Sequence, residues 1–296
     1  MPRNAEHGAP FVRERVMSAL RTALLLLAAL IALPARAEPP VDALRLYVFD
    51  CGRVVFDDLG PFADTGEYDG TPGELSAPCF LIRHPKGDLL WDAGLGDRIA
   101  ATPGGVEVRP GVRAFVAHTL QSQLAAVGLR ADEVDYLAFS HFHWDHTGNA
   151  GAFPGATWLL SRREVQALDG QPAPTSVTVD NLAARAQAKV ELIDLDRDVF
   201  GDGSVRILRA NGHTAGHQVL MLRLAKAGTV ILSGDLFHTR ENFQHGRMPA
   251  FNYSRGETLG AIDRVRRILD NTRGRLVIQH DRRDIDALPK APAYLD

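Results

Sequence analysis

The chain has 296 residues, 45% of them hydrophobic and 23% charged, with a formal net charge of -3 at pH 7. That is an ordinary globular composition with apolar content enough for one sizeable core, so one domain is the default and collagenous or low-complexity architectures are excluded. With no basic excess, and no Lys/Arg block interleaved with aromatics, nucleic acid is disfavoured as a partner; a small neutral or acidic molecule fits better.

Residues 1–37 read as a targeting segment rather than as structure. Arg21 precedes an apolar run over residues 23–33, followed by Pro34 and the small-x-small site Ala35-Arg36-Ala37 before Glu38, which is the layout of a secretory signal peptide. The run is shorter than the roughly 20 residues of a membrane span, so no stable anchor is expected after cleavage. A start at Met17 gives the more conventional leader. Export places residues 38–296, read as one domain, in the periplasm or outside the cell. Cys51 and Cys79 could oxidise there, although two cysteines do not show whether they pair, and two buried free thiols fit equally well.

Alternation over residues 44–49 predicts a strand. Residues 52–77, punctuated by Gly60-Pro61, Asp69-Gly70 and Thr71-Pro72-Gly73, predict a long loop suited to substrate. Strands over 79–83 and 88–91 are joined by His84-Pro85-Lys86-Gly87 and deliver Asp92-Ala93-Gly94 to the next loop. Phe115, Leu120, Leu124 and Val127 on one face predict a helix over 112–127, stopped by Gly128. The apolar run 136–139 predicts a buried strand that ends in Ser140-His141-Phe142-His143-Trp144-Asp145-His146, closed by a Thr147-Gly148-Asn149 turn.

A strand over 156–160 leads into a helix opened by the capping box Ser161-Arg162-Arg163-Glu164 and ending near Gly170. A Pro-rich loop over 171–176, a helix over 181–188 and strands over 190–195 and 204–209 come next, and 218–224 with 229–233 predict a hairpin. A second capping box, Ser254-x-x-Glu257, opens a helix with Thr258, Ile262, Val265, Ile268 and Leu269 on its buried face; the strand 275–279 then ends on His280. Strands alternating with helices, without internal repeats, predict a layered α/β (α+β) domain.

Three histidines and one aspartate between His141 and His146 form a metal-site pattern, since imidazole nitrogen and carboxylate oxygen suit zinc and related divalent ions. So many donors exceed what one tetrahedral ion with an open water position takes, which points to two ions. Asn211-Gly212-His213-Thr214-Ala215-Gly216-His217, Ser233-Gly234-Asp235 and His280-Asp281 also follow predicted strands, where open α/β sheets bind ligands. The candidate metal ligands are therefore His141, His143, Asp145, His146, His213, Asp235 and His280. His217 is read as a packing residue, and Gly212 and Gly216 as supplying tight backbone.

This set of residues resembles the metallo-β-lactamase superfamily over roughly residues 44–296. The resemblance implies a four-layer αβ/βα sandwich with a dinuclear metal cleft at one edge. His141, His143 and His213 would hold the first ion, Asp145, His146 and His280 the second, with Asp235 bridging and Asp92 behind the ligands fixing imidazole tautomers. β-Lactamases of this fold carry Cys or Ser where Asp235 stands, so the carboxylate points to hydrolases of lactones, thioesters or phosphodiesters.

Residues 78–87, 234–243 and 278–281 resemble the N-acyl homoserine lactonase, or quorum-quenching, branch. That likeness implies a lactone or ester opened by metal-activated water, two divalent ions (zinc first, with iron or cobalt compatible) and a homodimer as an allowed assembly. The branch places a tyrosine three residues after the bridging aspartate; His238 stands there in this chain, and histidine can pass a proton. Asp145, Asp235 and His238 are the catalytic candidates, and no serine or cysteine nucleophile is required. The alternatives are another hydrolase of the fold, acting on general lactones, esters, thioesters or β-lactams, and a non-catalytic metal-binding periplasmic scaffold. Structural metal sites are usually closed and Cys-rich, unlike this His/Asp set.

Overall fold

The computed structural model describes residues 44–170 and 172–296; the leader read over residues 1–37, and Gln171 of the Pro-rich loop, lie outside the described residues. The first sheet has six strands, in the order Arg45–Phe49, Cys79–His84, Gly87–Trp91, Tyr136–Ala138, Thr157–Ser161 and Lys189–Ile193. The second has five, ordered Arg197–Asp198, Val205–Arg209, Gln218–Leu224, Gly228–Leu232 and Arg275–Val277.

Side chains alternate between faces along a strand, and the two cores on either side of each sheet follow from that period. Leu46 and Val48 face a core shared with Ile207, Leu220 and Leu222 of the second sheet. Tyr47 and Phe49 point the other way, onto Leu120, Leu124 and Leu168. The second sheet repeats the pattern, with Leu208, Val219 and Met221 packed on Ala261, Ile262 and Val265 of the Arg255–Thr272 helix. Helix, sheet, sheet and helix are the four expected layers, and a strand covered on both faces, such as Cys79–His84, carries an unbroken apolar run from Cys79 to Ile82.

Two expectations are corrected. Residues 52–77 are not one loop: they contain the strands Arg53–Phe56 and Gly73–Ser76, which join Val112–Phe115 and Val106–Arg109 in a third, four-stranded sheet. Each strand is only four residues long and draws its stability from pairing across the sheet, which local alternation underreports. The helix read over 112–127 is likewise split. Val112–Phe115 is a strand paired with Arg53–Phe56, and the helix covers only Leu120–Ala126. Thr119 caps it by accepting from Ser122 N, and the Asp97 carboxylate accepts from Leu120 N and Gln121 N, so the start is set by Thr119 rather than by the apolar face.

Smaller differences have local causes. Ser254 does cap its helix, accepting from Glu257 N. Ser161 occupies the N-cap position of the Arg162–Leu168 helix, but its side chain makes no cap bond, and Glu164 turns into the interior. The helix expected over 181–188 is a 3-10 helix, Val179–Ala186. Cys51 and Cys79 are joined in a disulfide, with Cα atoms 5.7 Å apart, which decides between the two readings their number left open.

Candidate functional site

Strand ends from both sheets meet at one edge. Gly87–Trp91 ends at Asp92, and Tyr136–Ala138 leads to His141; Val205–Arg209, Gly228–Leu232 and Arg275–Val277 are followed by His213, Asp235 and His280. His143 stands at the N-cap of the one-turn helix Trp144–Thr147, which presents Asp145 and His146. All seven predicted ligand positions converge there in two groups whose donor atoms lie within 4.8 Å of one another: His141, His143, His213 and Asp235 in one, Asp145, His146 and His280 in the other.

Asp235 spans the two groups. Its Oδ2 lies 3.3 Å from His213 Nε2 and 3.6 Å from His141 Nε2, while its Oδ1 lies 3.0 Å from His146 Nε2 and 2.9 Å from His280 Nε2. His141 Nε2 and Asp235 Oδ1 are buried without a hydrogen-bond partner among the described residues. Close approach without hydrogen-bond alignment, in a cluster of nitrogen and carboxylate donors, fits divalent cations seated between them. Burial, reinforced by the neighbouring histidines, holds the His141 and His143 rings well below the usual imidazole pKa, in the neutral form that ligation requires.

The opposite nitrogens of three rings are committed elsewhere. With Nδ1 protonated, His146 donates to Asp92 Oδ2 at 3.0 Å, His213 to Asn252 Oδ1 at 3.0 Å and His280 to the Ser76 carbonyl at 2.5 Å. Each bond leaves an Nε2 lone pair for the shared centre. Asp92, at φ 59°, occupies the left-handed region that few residues other than glycine tolerate, and its carboxylate also accepts from Ser140 N, Ser140 Oγ and Gln279 Nε2.

Gln279 and Asn252 are the residues that the sequence did not reveal. Gln279 Oε1 accepts from Trp91 Nε1 and Gly234 N, so one side chain ties Asp92, the first sheet and the turn carrying Asp235 together. Adjacency of Gln279 to His280 was the available signal; amide side chains have no spacing that marks such a role. His217 does more than pack. Its Nδ1 donates to the Ala210 carbonyl, so its Nε2 accepts from Asp235 N at 2.9 Å and sets that residue's backbone. Burial and the neighbouring His213 pull the His217 ring down to about 3, keeping it neutral for this task. A Cβ on Gly234 (φ +49°) would lie 2.5 Å from His217 Nε2, so only glycine permits the turn.

His238 is buried, with Nε2 3.0 Å from Asp235 Oδ2 and Nδ1 without a partner among the described residues. Burial drives its pKa down to about 4 against the pull of Asp235. It borders a cleft of about 530 Å³ with His143, Asp145, Asp235 and His280 on the floor. Val54, Phe56 and Leu75 of the third sheet, with Phe62 and Phe251, form an apolar wall. The arrangement can bind two cations and present a small, partly apolar substrate to them.

The sequence profile of the metallo-beta-lactamase superfamily matches residues 72–280, a span that runs from the third sheet to His280. The N-acyl homoserine lactonase AttM of Azorhizobium caulinodans is 30% identical over 272 residues, covering 86% of this chain and 99% of that protein. An N-acyl homoserine lactonase of Bacillus thuringiensis is 25% identical over 85% of this chain and 98% of its own. In structure, a B. thuringiensis AiiA mutant with N-decanoyl-L-homoserine at its active site matches with a TM-score of 0.74 at 24% identity, over 85% of this chain and 98% of that one. An N-acyl homoserine lactone hydrolase with N-hexanoyl-L-homoserine at its catalytic metal centre gives 0.74 at 23% identity, with the same coverage. Since the profile spans every strand end from Asp92 to His280, and the relatives align along nearly their whole length, the chain belongs to the metallo-beta-lactamase superfamily.

Proposed function

We propose that this chain is a dinuclear metal-dependent lactonase that opens N-acyl homoserine lactones, with zinc as the metal. The observation that carries the reading is the Asp235 carboxylate, one oxygen directed at each donor group on the floor of the cleft. His141, His143 and His213 would hold one ion, Asp145, His146 and His280 the other, and Asp235 both. Bound there, divalent ions supply Lewis acidity toward a carbonyl and make water nucleophilic at neutral pH. The apolar wall seats the acyl chain and keeps bulk water from the floor, a division suited to a substrate with one polar and one apolar end. His238, on the cleft and bonded to Asp235, would take up the proton that the attacking water loses and pass it to the leaving alkoxide. The lactonase relatives support the substrate class, and the leader pattern together with the disulfide supports export to the periplasm or beyond. Assembly as a homodimer is proposed on the resemblance alone.

His238 in place of the tyrosine of that branch favours one second reading, a hydrolase of other lactones or esters with the same metals. Proton release by zinc-loaded protein on short- and long-chain acyl homoserine lactones, a plain γ-lactone, an aryl ester and a β-lactam separates the two. Saturable opening of the homoserine lactones, abolished by a chelator and restored by zinc, is expected. Turnover confined to the other substrates discards the quorum-quenching assignment.

In the same assay, His238→Ala is expected to lower kcat by about 100-fold, the lower end of what a positioned general acid contributes. Its metal content should stay unchanged. Kinetics equal to those of the parent would remove His238 from the mechanism.

A further inference from the structure

Glu164 is an acid the mechanism does not use. It is 4% exposed and lies outside the residues that border the cleft. Its Oε1 accepts from Gly216 N at 2.6 Å and its Oε2 from Phe142 N at 3.2 Å. Phe142 separates His141 from His143, and Gly216 ends the turn that begins at His213, so one carboxylate grips both loops that supply the histidines of the first donor group. The approach is close. A Cβ on Gly216 would lie 2.1 Å from Ser161 Oγ and 2.7 Å from Glu164 N, so the loop reaches the carboxylate only because residue 216 has no side chain.

An acid kept this far from water is costly unless its oxygens are bonded, and a residue serving only to fill space here would be apolar. The bonds run to two backbone N–H groups on loops that are distant in sequence, which fixes the separation of the loops rather than the direction of any single ring. The segment gripped at Phe142 also carries Asp145 and His146 of the second donor group, whereas the His213 loop serves the first group alone, and His280 receives no bond from this carboxylate among the described residues. The separation that the grip fixes, between residues 141–143 and the His213 loop, is therefore one that only the first donor group spans.

We infer that Glu164 is a positioning residue that sets the spacing of the His141/His143 and His213 loops and thereby selectively tunes the affinity of one of two bound metal ions. The inference rests on the dinuclear reading above, but not on the identity of the substrate. In Glu164→Gln one amide oxygen still accepts a backbone N–H, whereas the amide NH2 faces the other N–H and breaks that half of the clamp.

The test is a zinc titration of the metal-free mature protein against a chromophoric chelator, run on the parent, Glu164→Gln, Glu164→Asp and Val265→Ala. Val265 lies on the buried face of the Arg255–Thr272 helix, so its variant loses stability without touching either loop. Thermal melting of each metal-free protein accompanies the titration. Glu164→Gln should weaken one zinc equivalent by about 10- to 100-fold, the range seen when partners behind metal ligands are removed, and leave the other within about three-fold. Glu164→Asp, which keeps the charge, should fall between the two. The absorption bands of the cobalt-loaded protein should change for one ion and persist for the other.

Equal weakening of both equivalents, the same selective loss in Val265→Ala, two unchanged affinities, or a parent that takes up fewer than two equivalents would each overturn the inference. A parent that binds two zinc ions yet leaves homoserine lactones closed overturns the substrate reading alone, and the positioning role stands.

Discussion

Asp235→Asn is expected to lower kcat/KM by about 1,000-fold or more, beyond the 10- to 100-fold loss typical of residues that only support metal ligands. The expectation follows from where its oxygens lie. Oδ1 approaches His146 and His280, Oδ2 approaches His213 and His141, and no other carboxylate reaches both donor groups among the described residues. An amide of the same shape carries no charge and presents an NH2 donor where one of the two acceptors stood, so both groups are weakened by one change. The surrounding histidines, His280 first, hold the Asp235 carboxyl well below its ordinary pKa despite burial; neutral asparagine forfeits that attraction. Metal analysis alongside the kinetics should show fewer than two equivalents bound, and a melting curve separates this from misfolding. Two retained equivalents with turnover within tenfold of the parent would remove Asp235 from the bridging role.

The Cys51→Ser/Cys79→Ser double variant is expected to lose about 3.5 kcal/mol of stability, the loop-closure entropy for a bridge spanning 28 residues. The bridge ties the residues just after the first strand to the start of the second, where Phe49 and Cys79 are paired across the sheet. Both cysteines are within 1% of full burial, so serine adds hydroxyls that need partners in an apolar core, and the loss should not fall below the entropic figure. Urea unfolding of the double variant and of the oxidised parent, compared at equal slope, reads this directly. Coincident midpoints would mean that the two sulfurs are not joined in solution. Activity at low denaturant should survive, because neither cysteine borders the cleft.

The donor set was legible because its signal is local. His141, His143, Asp145 and His146 are near neighbours in the chain, and His213, Asp235 and His280 each stand just after a run whose hydrophobicity announces a buried strand. Layer order was equally accessible, since Leu46 and Val48 alternating with Tyr47 and Phe49 is what a strand covered on both faces requires. The third sheet was not. Arg53–Phe56 and Gly73–Ser76 are short, separated by turn-rich sequence, and owe their stability to Val112–Phe115, a segment whose apolar spacing also reads as the start of a helix. That ambiguity concealed the apolar wall of the cleft, the part of the site that most concerns the substrate.

What the sequence determined by itself is thus the chemistry of the site: imidazoles and carboxylates at strand ends, enough of them for two ions, with no nucleophilic serine or cysteine motif. The tertiary structure decided how those groups are held and aimed. Glu164 bonds Gly216 across 52 positions, Gln279 bonds Asp92 across 187, and Cys51 meets Cys79 through strand pairing, none of them by a spacing that recurs along the chain. Local patterns arise because helices and strands repeat over a few residues. A hydrogen bond between two loops repeats over nothing, and exists only once both sheets have packed and brought their strand ends to the same edge.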